Sequence, residues 1–309
     1  MSLRVAVVGV GHLGRHHARI LSTLPGVQLV AVVDVNDARA KAIAGAHQTQ
    51  ALFDYRDVLG RVDAVTIAVP TERHCSVAQS FLEAKIPVLV EKPMARSLAE
   101  ADAMIAAAAK AGVALAVGHT ERFNPAVAAA RAHLTDPRFI EVHRLGTFPE
   151  RSLDIDVVFD LMIHDLDVVL SIVPSEVDSI EAVGVPVLTG RVDIANARLR
   201  FANGCIANLT ASRISRDRVR KIRFFQPSTY LSIDYAAQKV DLWRLEKSEG
   251  IAPAIAGGEV DVAHEEPLVR ELADFVEAVV GRRRPLVDGE QGRRALVVAD
   301  AIAAKIGAR

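Results

Sequence analysis

Three groups of residues have types and spacings that can do chemistry. The first is Gly9-Val10-Gly11-His12-Leu13-Gly14, a G-x-G-x-x-G pattern that directly follows the apolar run Leu3–Val8. After a strand and before a helix, Gly9 permits the tight turn and Gly11 lets a pyrophosphate approach the helix N-terminus. Gly14 lets helix and strand pack closely. Asp34 comes twenty residues after Gly14, at the end of the next apolar run. A carboxylate there accepts hydrogen bonds from a ribose hydroxyl and repels a 2′-phosphate, so NAD is the expected cofactor and NADP the disfavoured one. Arg39, a few residues on, is a cation that can meet a phosphate instead.

The second group centres on Lys92, which precedes Pro93 at the end of the run Val88–Val90. A residue before proline is held extended, so the lysine emerges at the carboxyl end of a strand, where open α/β sheets bind ligands. On its own this is either a surface lysine or an ammonium that binds a substrate hydroxyl. The third group is Asp160, His164 and Asp167. On a regular helix they share one face of an otherwise apolar stretch. Polar groups there require partners, so the set is either a satisfied structural cluster or a ligand site.

The elements that must position these groups follow from hydrophobic patterning. Leu3–Val8, Val27–Val33, Ala64–Val69, Val88–Val90 and Ala114–Val117 are nearly continuous apolar runs, the pattern of parallel strands covered on both faces. Helical stretches separate them. One is opened by a Ser97/Glu100 capping box and stopped by Gly112. The first 120 residues therefore read as a doubly wound, Rossmann-type α/β domain.

Residues 121–309 read as an α+β domain on a mostly antiparallel open sheet. Helices are expected over Pro125–Leu134 and Val157–Ile172. Strands are expected at Phe139–Leu145, Ile180–Leu188, Val192–Phe201, Cys205–Ser212, Lys221–Phe225, Tyr230–Asp234 and Val240–Leu245. Asn203-Gly204 marks a hairpin. The Gly- and Ala-rich Ile251–Glu259 reads as a loop. Two helices close the chain, one from Pro267 to Gly281 and one from about Glu290 to Ile306.

Composition narrows the function classes. The chain has 309 residues, is 50% hydrophobic and carries a formal net charge of −1. Bulk charge gives no reason to expect a nucleic-acid or membrane partner. No apolar run has membrane-spanning length. Cys75 and Cys205 form no CxxC pair, so a reducing cytoplasm is expected. His12, His16 and His17 cluster in the first helix; they read as a partly exposed face near the dinucleotide, with no metal expected.

Val88-Leu89-Val90-Glu91-Lys92-Pro93-Met94-Ala95 resembles the E-K-P signature of the glucose–fructose oxidoreductase and inositol dehydrogenase family. Val69-Pro70-Thr71-Glu72-Arg73-His74 is similar to that family's stretch beside the nicotinamide ribose. Gly118-His119 through Arg122-Phe123-Asn124-Pro125 is similar to its crossover into the second domain. The resemblance covers essentially the whole chain. It implies a dehydrogenase with cofactor contacts at Gly9, Gly11, His12, Leu13, Gly14, Asp34, Pro70, Thr71, His74, Glu91 and Lys92. It implies catalysis by Lys92, His164 and Asp160, with His164 as proton acceptor and Asp160 orienting substrate or histidine. Substrate contacts are implied at Arg122, Asn124, Asp160 and His164.

Gly118–Pro125, Asn208–Arg213 and Arg220–Phe225 also resemble a subgroup that includes UDP-N-acetylglucosamine 3-dehydrogenases. That implies oxidation of C3 of a UDP-N-acetylhexosamine. The alternatives are an inositol or free-sugar dehydrogenase of the same family, or a non-catalytic NAD-binding regulator. Arg213, Arg216, Arg218, Arg220 and Lys221 are either a diphosphate-neutralising set or ordinary charges on a strand and its turn. The family's use of its open sheet for self-association implies a homodimer or homotetramer.

Overall fold

The computed structural model describes residues 2–148, 155–246 and 254–307. The chain divides into two compact units, Met1–His119 with Leu268–Leu296, and Thr120–Pro267 with Val297–Arg309.

The first unit alternates strand and helix: β1 (Leu3–Val8), α1 (Gly14–Leu21), β2 (Val27–Val33), α2 (Asp37–Ala46), β3 (Gln50–Leu52), β4 (Ala64–Ile67), α3 (Thr71–Glu83), β5 (Val88–Glu91), α4 (Leu98–Ala111) and β6 (Leu115–Gly118). The strands lie in the order β3-β2-β1-β4-β5-β6, and all neighbours are parallel. The order reverses at β1, so the crevice lies beyond the carboxyl ends of β1 and β4, where the glycine motif sits. The short β3 has no apolar run of its own and was not expected. Ser97 caps α4 by accepting the Glu100 N–H at 3.3 Å. Glu100 turns its carboxylate to the Arg96 N–H instead of Ser97, so only half of the expected capping box forms.

The second unit begins with a 3-10 turn, Thr120–Phe123, and α5 (Pro125–Arg131). β7 (Phe139–Leu145), α6 (Ile163–Ile172), β8 (Val177–Val185), β9 (Ile194–Phe201), β10 (Ile206–Ser212), β11 (Val219–Gln226), β12 (Thr229–Asp234), β13 (Lys239–Glu246) and β14 (Ala254–Val260) follow. Its sheet runs β14-β13-β12-β11-β7-β10-β9-β8. All neighbours are antiparallel except β7 and β10. Leu199, Leu209, Ile222, Phe224, Leu231 and Ile233 line its buried face. The opposite face carries polar pairs such as Asn196–Thr210 and Arg198–Asn208. It also carries a row of aromatic rings, Phe139, Phe225 and Tyr230, at 5.5 and 5.3 Å spacing.

Two expectations are corrected here. The segment read as a loop at Ile251–Glu259 contains most of β14; residues 251–253 lie outside the described residues. Glycine weakens strand propensity, but pairing on β13 overrides it, and Gly257 is required because a Cβ there would run into the Leu242 carbonyl. The expected regular helix over Val157–Ile172 is also interrupted. Val158–Met162 forms a π turn before α6 begins.

The closing helices are α7 (Pro267–Gly281) and α8 (Gly289–Gly307). The sequence assigned everything after residue 120 to the second domain. In the structure Leu272, Phe275 and Val276 of α7 instead join the core of the first unit with Val5, Val7, Leu21 and Val32. The apolar stripe of α7 shows that it must be buried, but not against which sheet.

Candidate active site

The glycine loop is built by close backbone approaches. Gly9 has φ +85°, and a Cβ there would come 2.7 Å from the Ala68 carbonyl carbon. At Gly14 a Cβ would overlap the Gly9 carbonyl. Around Gly11 the space is open: apart from its chain neighbours, only Arg39 Nη1 among the described residues lies within 4 Å of such a Cβ, at 3.5 Å. This is the cradle that a dinucleotide pyrophosphate fits, in front of the α1 N-terminus. His12 is exposed and Leu13 half-buried beside it.

Asp34 is only 8% exposed. Its Oδ2 accepts the Val10 N–H at 3.0 Å and its Oδ1 accepts the Asn36 N–H at 2.9 Å. A carboxylate has about four lone-pair sites, so capacity remains for ribose hydroxyls. Arg39 lies across it, Nη1 3.4 Å from Oδ2. The cation singled out as a phosphate ligand therefore leans on the acid that repels phosphate.

At the end of β5, Glu91 faces inward and Lys92 is half-buried. Glu91 Oε2 accepts the Lys92 N–H at 3.2 Å, and Oε1 lies 2.9 Å from His17 Nε2. His17 is 0% exposed, which corrects the expectation of a partly exposed histidine face. Helical spacing from Gly14 turns position 17 into the sheet, while His12 stays outside. His74, expected at the cofactor, is also buried. Its Nδ1 lies 3.0 Å from the Pro93 carbonyl and its Nε2 2.9 Å from the Val69 carbonyl. Burial holds its pKa below the ordinary imidazole value, against the opposing pull of the carbonyls and Glu91. Its ring thus ties the Val69–Pro70 turn to the strand end after Lys92. Pro70 is exposed and Thr71, the first residue of α3, half-buried.

In the second unit, Asp160 lies inside the π turn and His164 in the first turn of α6; both are half-buried. π turns are rare and concentrate at functional sites, because the extra residue re-aims the side chains around it. Asp167 does not belong to an accessible cluster with them. It is buried, with Oδ1 3.2 Å from Arg122 Nη1. Burial pushes its carboxyl up to about 7 against the opposing charge of Arg122.

Arg122 and Asn124, expected as substrate contacts, both have partners within the protein. Arg122 is buried on Asp167. Asn124 caps α5 by accepting the Ala126 N–H at 3.1 Å, and its amide donates to Glu121 Oε2 and to the Tyr235 carbonyl. The amide's polar atoms are occupied by protein, as an N-cap asparagine's commonly are.

Sequence reasoning missed the network beneath this helix. Arg144 binds Asp165 through two hydrogen bonds and Glu121 through a third at 3.0 Å, with its guanidinium 5.3 Å from the centre of the Tyr235 ring. Burial pushes the Asp165 carboxyl up while Arg144 opposes it, and burial drives the Tyr235 hydroxyl well above its usual value. One signal was present: Arg144 falls on the inward phase of β7, after Ile140 and Val142.

The basic set separates as well. Arg213 is buried on Asp193 at 2.8 Å and is not available to a ligand. Lys221 pairs with Asp234 at 3.4 Å. Arg220 sits opposite Arg144 across the β11–β7 pair, its pKa lowered by partial burial and by the Arg144 charge.

Family models match both units: an oxidoreductase family with an NAD-binding Rossmann fold over residues 3–119, and the GFO/IDH/MocA C-terminal domain over 126–226. The chain belongs to the Gfo/Idh/MocA oxidoreductase family. It is 39% identical over 301 residues to a UDP-N-acetylglucosamine 3-dehydrogenase of Acidithiobacillus ferrooxidans, covering 96% of this chain and 95% of that protein. A solved structure of a UDP-N-acetylglucosamine 3-dehydrogenase from that organism superposes with TM-score 0.93 at 37% identity, covering 100% of this chain and 99% of the other. An inositol 2-dehydrogenase of Rhizobium meliloti is 28% identical over 230 residues, 69% of each chain.

As a Gfo/Idh/MocA protein the chain is an oxidoreductase of the dehydrogenase kind, and residues 3–119 form its NAD-binding Rossmann fold. No cluster of three His, Cys, Asp or Glu able to hold a metal occurs among the described residues. No helix among them is long and apolar enough to cross a membrane.

Proposed function

We propose that the chain oxidises a secondary hydroxyl of a nucleotide sugar, C3 of a UDP-N-acetylhexosamine, with NAD as hydride acceptor. The observation that carries this reading is the 39% identity, over 96% of the chain, to a UDP-N-acetylglucosamine 3-dehydrogenase. The reading assigns catalysis to Lys92, Asp160 and His164, on the resemblance of their segments to the family's motifs.

The first unit binds NAD through Gly9, Gly11, Gly14 and Asp34. Bound NAD supplies the ring that accepts hydride. Lys92 hydrogen-bonds the reacting hydroxyl and steadies the charge that grows on its oxygen. His164 takes the hydroxyl proton; a free imidazole has a pKa of about 6.5, which suits that task near neutrality. Asp160 orients the substrate or the imidazole. The second unit carries the substrate contacts. Arg218 and Arg220 neutralise the diphosphate, whose charge relieves the repulsion between Arg220 and Arg144.

The protein works in the cytoplasm as a homodimer or homotetramer assembled on the open face of the eight-stranded sheet. Phe139, Phe225 and Tyr230 stack on that face, and Trp243 beside them is 42% exposed.

The test is formation of reduced nicotinamide with UDP-N-acetylglucosamine, UDP-N-acetylgalactosamine, free N-acetylglucosamine and myo-inositol, each with NAD and with NADP. Turnover confined to the UDP-sugars with NAD supports the reading. Turnover of inositol or the free sugar, with none on UDP-sugars, overturns it in favour of the inositol or free-sugar alternative. Sedimentation of the intact protein as a monomer removes the assembly proposal.

A further inference from the structure

We propose that His17 is a positioning residue for Lys92, acting through the Glu91 carboxylate. The proposal rests on the role given to Lys92 above and adds a residue that the reading does not use.

Glu91 divides its carboxylate between two donors. Oε1 faces His17 Nε2 at 2.9 Å, and Oε2 accepts the backbone N–H of Lys92 at 3.2 Å. His17 is 0% exposed and Glu91 5%. The carboxylate is confined on its other side by β6, where a Cβ on Gly118 would lie 2.9 Å from Oε2. An ionised carboxylate only accepts, so His17 must present Nε2–H to it. His17 Nδ1 has no hydrogen-bond partner among the described residues, so the Glu91 contact alone defines the ring's tautomer.

A buried imidazole–carboxylate pair is an expensive way to fill space between a helix and a sheet. A leucine and a hydrophobic partner would pack there without desolvating a charge. What the polar pair adds is direction. α1 begins at Gly14, so His17 stands about one turn behind the pyrophosphate cradle. Two hydrogen bonds in series therefore connect the helix that receives the dinucleotide to the backbone of Lys92. His74 holds the chain two peptides further on, through the Pro93 carbonyl. An ammonium that must meet a hydroxyl oxygen is sensitive to such support, since a misplacement of about 1 Å lowers rate by roughly a hundredfold.

The experiment compares His17→Leu, His17→Gln, Glu91→Gln and Lys92→Ala in the intact enzyme, on whichever alcohol the wild type oxidises. The measurements are kcat, KM, the dissociation constant of NAD and the melting temperature. His17→Leu should lower kcat by about thirtyfold or more while NAD affinity stays within about threefold. The glutamine amide can donate to Glu91, so His17→Gln should recover kcat to within about fivefold of wild type. Glu91→Gln places an NH2 group against a donor and should lower kcat as His17→Leu does; it carries the test if His17→Leu does not fold.

A folded His17→Leu or Glu91→Gln enzyme with wild-type kcat overturns the proposal. So does a loss confined to melting temperature, which is the outcome of a purely structural pair. Full turnover by Lys92→Ala would instead remove the role given to Lys92. Loss in Lys92→Ala with wild-type kcat in His17→Leu removes only the inference about His17.

Discussion

Arg144 holds Asp165 with a paired contact, Nε to Oδ2 at 2.6 Å and Nη2 to Oδ1 at 3.0 Å, and both side chains are buried. Asp165 directly follows His164, so the grip fixes the start of α6. Removing one partner strands the other charge in the interior. Arg144→Ala should therefore lower stability by about 3–5 kcal/mol. Arg144→Met combined with Asp165→Leu should recover a large part of that. Denaturant midpoints of the three variants check this; an Arg144→Ala midpoint equal to wild type would refute it.

Asp193 presents the opposite sign of pKa shift to Asp167. Burial pushes its carboxyl up, but the Leu188 and Thr189 N–H groups, the Thr189 hydroxyl and Arg213 outweigh it and hold it well below the usual carboxylate range. A lowered folded pKa gives stability that is fully present above the unfolded pKa, near 4, and is lost as pH falls towards the folded value. Asp193→Asn should lose about 1–3 kcal/mol at neutral pH. It should also flatten the decline in stability below pH ~4. Melting curves across acid pH measure both effects, and an unchanged slope would contradict the account.

In the proposed reading Asp34 and Arg39 set the cofactor preference between them. In Asp34→Asn the charge that repels a 2′-phosphate is gone and Arg39 loses its carboxylate partner. The ratio of kcat/KM for NADP to that for NAD should rise by about tenfold, equivalent to ~1.4 kcal/mol. Adding Arg39→Ala should reverse the gain. If the double variant keeps it, Arg39 is not the phosphate ligand.

His164→Ala should lower kcat by about a hundredfold to ten-thousandfold, the range for loss of a general base. NAD affinity should stay unchanged, because the task proposed for the imidazole is proton transfer and not dinucleotide binding. Lys92→Ala should lower kcat similarly. Steady-state kinetics with NAD binding measured in parallel separates these effects, and full turnover in either variant would remove its assigned role.

Both folds and the glycine loop were legible because they rest on local signals: apolar runs, glycine spacing, and an acid at the end of β2. Lys92 stands out only with the family pattern, since a lysine at a strand end is ordinary. The supporting residues were not legible. His17 and Glu91 are 74 positions apart and Arg144 and Asp165 are 21 apart, so only the folded chain pairs them. The protein partners of Arg122 and Asn124 were not legible, because a polar residue in a family motif looks alike whether it holds substrate, the fold or both. The π turn left no mark, since its apolar residues suit a regular helix equally well.

The place of α7 also dictates the order in which the protein can be made. Leu272, Phe275 and Val276 complete a core begun at Val5, and the whole second sheet is translated between them. At ribosomal rates of about 5–20 residues per second, the nascent first unit waits on the order of 10–30 s with part of its apolar surface uncovered. The first unit is therefore among the earliest parts of the chain to emerge and among the last to close.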